Sequence, residues 1–147
     1  MPEELKFCES CITPEIIREI ISDESPDDNL FSEDIDFSEP KIIMAMRLTV
    51  SDYHGITPRN VAKISLCRMP FEKFLIDGII ANLYDNVVDN LARNTIHVEG
   101  GQISVKPNHD RMQGMAASAQ KRRESFETRA KEYKLSRNLK GTWAISF

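Results

Sequence analysis

The chain has 147 residues, 41% hydrophobic and 29% charged, a balance that suits one ordinary globular domain and excludes wholesale disorder. No apolar run approaches the ~20 residues that cross a bilayer, and Met1-Pro2-Glu3-Glu4-Leu5 carries acids where a secretory signal carries bases, so a soluble cytosolic product is expected. The net charge of −4 hides an asymmetry: residues 1–58 sum to −10 and residues 59–147 to +6, with nine bases against three acids inside 111–140.

Cys8 and Cys11 make a Cys-x-x-Cys pair, and Cys67 is the third cysteine. A structural zinc site needs four ligands, and no second pair follows. A thioredoxin-like motif needs a strand before it, which Phe7 does not supply. Three cysteines cannot all pair within one chain, which fits a reducing compartment and excludes a disulfide scaffold. The pair therefore reads as two ordinary, functionally silent thiols in a flexible N-terminal stretch, residues 1–12.

Thr13-Pro14-Glu15 starts a helix with a capping hydroxyl, a first-turn proline and an acid at the positive end of the dipole. Ile16, Ile17, Ile20 and Ile21 form its apolar face. Residues 22–36 read as an acidic loop that Leu30 and Phe31 can pin to the body. A second helix follows Asp36-Phe37-Ser38-Glu39-Pro40, with Ser38 as cap and Phe37 packing back on Ile42 as a staple. Ile42, Ile43, Met46 and Val50 recur at helical spacing until Gly55 and Pro58. Val61–Cys67 alternates weakly and suits either a short strand or an extended connector.

Pro70 opens the longest apolar helix, from about Phe71 to Ala92. Its buried stripe runs from Leu75 and Ile76 through Ile79, Ile80, Leu83, Tyr84, Val87 and Val88 to Leu91. Its wet stripe is Lys73, Asp77, Asn82, Asp85, Asn86, Asp89 and Arg93. So wide an apolar arc predicts a central helix touched on more than one side. Next, Ile96-His97-Val98-Glu99 and Gln102-Ile103-Ser104-Val105 flank Gly100-Gly101, the pattern of a two-residue hairpin. Pairing across that turn puts Ile96, Val98, Ile103 and Val105 on one face.

Pro107-Asn108-His109-Asp110 caps a last helix, about Asp110 to Arg137, whose seam of Met112, Ala119, Phe126 and Tyr133 is narrow and leaves much of its surface open. Gly141 then releases a tail, Thr142-Trp143-Ala144-Ile145-Ser146-Phe147. In a strand, Trp143, Ile145 and Phe147 share one side, ready to complete a partner's sheet or to fold back. The fold class is mainly α: a small helical bundle around one long central helix, with a protruding β-hairpin, a long basic C-terminal helix and an extended tail. Residues 1–140 form one domain, 95–106 its hairpin and 141–147 a docking tail.

Catalytic patterns are missing. No Gly-x-Ser-x-Gly elbow or phosphate-cradling Gly-rich loop occurs, and His54, His97 and His109 have no partners at metal spacing. The expectation is no enzyme, no cofactor and no metal. The basic helix is the better clue. Arg111, Lys121, Arg122, Arg123, Arg129 and Lys134 can meet phosphates, which gives a DNA-binding regulator as the alternative reading. Glu124, Glu127 and Glu132 interleave them, and overall acidity weakens that alternative. Contact between the basic helix and the acidic half of another copy accounts for both halves of the charge asymmetry.

Two patches carry a resemblance. One is Asp36-Phe37-Ser38, Ala45-Met46-Arg47-Leu48, Asp52-Tyr53-His54 and Pro58. The other joins Arg93-Asn94 to Gly100-Gly101 and the long charged helix. Together, over residues 34–140, the chain resembles head-to-tail adaptor (connector, or neck) proteins of tailed bacteriophages. Pro40 stands where that pattern has an acid, and residues 1–30 lie outside it. The resemblance implies a virion protein made in the host cytoplasm and placed at the neck. It would form a ring, typically dodecameric, that joins the portal to downstream tail or neck proteins, with DNA passing through unread and no membrane. Lys121, Arg122, Arg129, Lys134, Trp143, Ile145 and Phe147 would dock on the portal or another partner. Ile96, Val98, Gly100, Gly101, Ile103 and Val105 would form an intersubunit hairpin.

Overall fold

The computed structural model describes residues 6–21, 37–96 and 106–143. Among these, 76% are helical and no strand forms. Four α-helices follow one another: α1 Pro14–Ile21, α2 Glu39–Gly55, α3 Lys73–Ile96 and α4 Lys106–Trp143. A short 3-10 turn, Leu66–Arg68, interrupts the connector between α2 and α3.

The start of α1 follows from Thr13, whose hydroxyl accepts the Ile16 N–H at 3.4 Å. A hydrogen bond with the same Thr13 side chain, then one from its own backbone N–H, hold the Glu15 carboxyl below its ordinary range. Pro40 sits in the first turn of α2, where no intrahelical N–H is needed. Ser38 is the N-cap by backbone position only, because its side chain makes no capping bond. Phe37 is buried, its ring stacked 6.5 Å from that of Tyr84.

Residues 6–12 are not a flexible end. Cys8 and Cys11 are joined by a disulfide, correcting the expectation of two free thiols. The Ile12 N–H donates to the Met69 carbonyl at 2.9 Å, the Cys8 N–H donates to the Cys67 carbonyl at 3.2 Å, and Cys11 pairs with Pro70. Ile12 is fully buried and belongs to the main core. An apolar side chain this close to the core anchors the backbone around it.

Packing runs through α3, which contacts α1, α2 and α4. Every residue from Phe74 to Ala81 is buried. Gly78 makes the close approach possible, since a Cβ there would stand 2.8 Å from both Thr49 Cγ2 and Phe126 Cδ2. Phe74 packs near Phe126 and Tyr133, while Asn82 and Asp85 meet Arg123, so α3 and α4 run antiparallel.

Helix boundaries overrun the expected ones. Ile96 closes α3 rather than opening a hairpin strand. Val98, Gly100, Gly101, Ile103 and Val105 lie outside the described residues. Helix α4 starts at Lys106, since Pro107 in its first turn breaks no hydrogen bond. It continues through Gly141 to Trp143, because one helical glycine costs only about 1 kcal/mol. Trp143 therefore ends a helix instead of alternating in an extended tail, and Ile145 and Phe147 lie outside the described residues. The 61–67 connector is bent, with Ala62 in the left-handed region at φ 50°.

Candidate interaction surface

A helix of 38 residues is about 57 Å long, against about 36 Å for the 24 residues of α3. In the antiparallel pair, α4 therefore outruns its neighbour. Its predicted contact residues divide into those turned inward and those turned outward.

Arg122 Nη1 donates to Asp77 Oδ1 at 2.7 Å, and Ser125 Oγ donates to the other Asp77 oxygen at 3.3 Å. Asp77 is buried, not part of a wet stripe. Arg123 pairs with Asp85 and reaches Asn82 Oδ1 at 3.4 Å. Asn82 in turn donates to Thr49 Oγ1 at 3.0 Å, and that hydroxyl donates to the Ala45 carbonyl at 2.9 Å. This polar seam ties α2, α3 and α4 together. Among the described residues no buried side-chain nitrogen or oxygen lacks a hydrogen-bond partner.

Lys134 departs furthest from its expected role. Read as a docking residue, it is fully buried. Its Nζ donates to the carbonyls of Tyr53 and Ile56, the latter at 2.7 Å, and lies 4.3 Å from the Tyr53 ring centroid. The last carbonyls of a helix have no partners within it, so a cation from α4 caps α2. Burial lowers the Lys134 pKa from the ordinary lysine value. The Tyr53 hydroxyl donates to the Ala62 carbonyl at 2.8 Å. Burial first, then the neighbouring Tyr133, push the Tyr53 phenol up to about 12, against the pull of Arg137. His54 is a structural acceptor, taking the Ile64 N–H on Nε2 at 3.3 Å.

Lys121 and Arg129 are exposed, as are Lys131, Arg137 and Lys140. Arg129, Glu132, Tyr133 and Ser136 face Glu72, Lys73 and Phe74 across an open groove that carries both signs of charge. Beyond it, every residue from Leu135 to Lys140 is exposed, with Leu135 at 44% and Leu139 at 61%. These two leucines, one helical turn apart, escaped the sequence reading. The expected helix stops near Arg137, which leaves Leu139 outside it, and only the continuation of α4 to Trp143 puts the two leucines on one helix.

Among the described residues no cluster of three or more histidine, cysteine or acidic side chains can hold a metal ion, and no helix is long and apolar enough to cross a membrane. The surface is suited to contact with another macromolecule through an exposed apolar pair, Leu135 and Leu139, on a mostly polar helix end. Comparison of the chain with models of known protein families, with curated proteins and with solved structures finds no match.

Proposed function

We propose that the protein is a structural subunit of a tailed-phage neck, assembling as a ring that joins the portal of the head to downstream tail or neck proteins. The observation that carries this reading is the exposed stretch Leu135–Lys140 of α4. Leu135 and Leu139 stand exposed on the stretch of α4 that also carries exposed Lys131 and Lys140, on a helix that outreaches its neighbour. Large apolar side chains grouped at an exposed end mark contact sites.

The resemblance to adaptor proteins supports the same reading. Of its residues, Phe37, Ala45, Met46 and Tyr53 are core, whereas Ser38, Arg47, Leu48 and Asp52 are exposed. The C-terminal part of α4 with residues 144–147 docks on the portal, and 97–105 serves contact between subunits. No residue is assigned to catalysis and no cofactor is required. Arg122 and Arg123 are engaged by Asp77 and Asp85, and Lys134 is buried. Lys121, Arg129, Lys131, Arg137 and Lys140 stay exposed but are interleaved with the exposed acids Glu124, Glu127 and Glu132, which breaks up any track for a phosphate backbone, so DNA traverses the channel without being read.

The test is to mix the purified chain with the portal protein and image the product. A ring of copies at the portal vertex is expected. A chain that stays off the portal, while binding duplex DNA with a steep salt dependence, would sink the proposal in favour of a regulator.

A further inference from the structure

We infer that Cys8, Cys11 and Cys67 form a thiol–disulfide exchange site, which moves one covalent bond from the N-terminal turn onto the α2–α3 connector. The backbone brings the three together although Cys67 is remote in sequence. The turn at Cys8–Cys11 is closed by the Cys11 N–H donating to the Cys8 carbonyl at 3.1 Å. Its Cys8 end is bonded to the Cys67 carbonyl at 3.2 Å, and its Cys11 end pairs with Pro70. A single backbone hydrogen bond of that length holds the two α-carbons within about 7 Å of each other, close to the separations of about 4.4–6.8 Å that a disulfide spans.

The three sulfurs are not equivalent. Cys11 is buried at 7% exposure, while Cys8 and Cys67 are half-buried. Cys67 is the free thiol of the set. Cys8 is therefore the sulfur of the disulfide that an attacking thiolate reaches.

In the exchange, the Cys67 thiolate attacks Cys8 Sγ. The Cys8–Cys67 bond forms as the Cys8–Cys11 bond breaks, and the electron pair leaves on the Cys11 sulfur, which takes up a proton. No oxidant or reductant is consumed, because one disulfide and one thiol become another disulfide and another thiol. The new bond closes a loop from residue 8 to residue 67, around both α1 and α2. The earlier bond closes only a four-residue turn. Exchange thus converts a local clasp into a staple between the N-terminus and the body.

The test uses the full chain with its Cys8–Cys11 bond formed, held at about pH 8.5, where a free cysteine in water is about half thiolate. The sample is quenched by alkylation at intervals and its cross-linked peptides are identified without reduction. A peptide pair joining Cys8 to Cys67 is expected to grow in as alkylation of Cys67 falls and that of Cys11 rises. A Cys11→Ala variant oxidised with diamide is expected to form the Cys8–Cys67 bond within single chains. Cys8–Cys11 pairing that persists alone in the wild type would overturn the inference. So would a bridge from Cys67 to Cys11, which would remove Cys8 from its assigned role.

Discussion

Lys134 shows how one side chain serves two purposes. Its stem fills the space beneath Tyr53 and its ammonium closes the C-terminal end of α2. Lys134→Ala opens a cavity and leaves the Ile56 carbonyl without its donor and the Tyr53 carbonyl with only the Ile56 N–H, a loss of about 2–4 kcal/mol in denaturant unfolding. Lys134→Met keeps the volume and sheds the desolvated charge, so the loss should be smaller. Tyr53 adds a pH dependence whose sign is fixed. The unfolded phenol loses its proton near 10.0 and the folded one at about 12. Between these values the unfolded chain holds fewer protons, so stability present below pH 10.0 drains away toward pH 12. Lys134 acts in the opposite sense, since its lowered pKa makes the folded chain the first to lose a proton. Tyr53→Phe separates the two effects. It costs about 1 kcal/mol at neutral pH through the lost bond to Ala62, and its deficit against wild type should shrink as unfolding is measured at rising alkaline pH.

The helices themselves were largely legible, because Ile42, Met46, Leu75, Ile79 and Leu83 repeat at the helical period and are all buried. What escaped was which charges face inward. Asp77 and Arg122 read as solvated because a charge on an amphipathic helix normally is, and only the antiparallel pairing of α3 with α4 makes them partners. Arg122→Ala should therefore cost about 2–4 kcal/mol by leaving the Asp77 carboxylate buried without its cation. Lys121→Ala, one residue away but exposed, should stay within about 0.5 kcal/mol of wild type. Gly78 and Gly114 make a second contrast. A methyl at Gly78 drives into Thr49 and Phe126, whereas at Gly114 it meets nothing within 4 Å. Thermal unfolding should show Gly78→Ala losing about 1–3 kcal/mol and Gly114→Ala gaining about 0.5–1 kcal/mol.

At the scale of the whole molecule, every buried polar side chain among the described residues is partnered while Leu135–Lys140 of α4 stays exposed. Since every residue from Leu135 to Lys140 is exposed, removing Gly141–Phe147 should leave the melting temperature within about 2 °C of the full chain. The same truncation should abolish attachment to the portal in a pull-down, and a truncated chain that still attaches would relocate the docking surface. The candidate site was the least legible part of the sequence, since exposure of Leu135 and Leu139 depends on where α3 begins, not on their own neighbours. The cap on α2 has a further bearing on how the chain is made. Its donor, Lys134, comes 78 residues after the Ile56 acceptor. A nascent chain leaving the ribosome with α1, α2 and α3 already emerged still lacks this cap, and that end of α2 is closed only once Lys134 has followed.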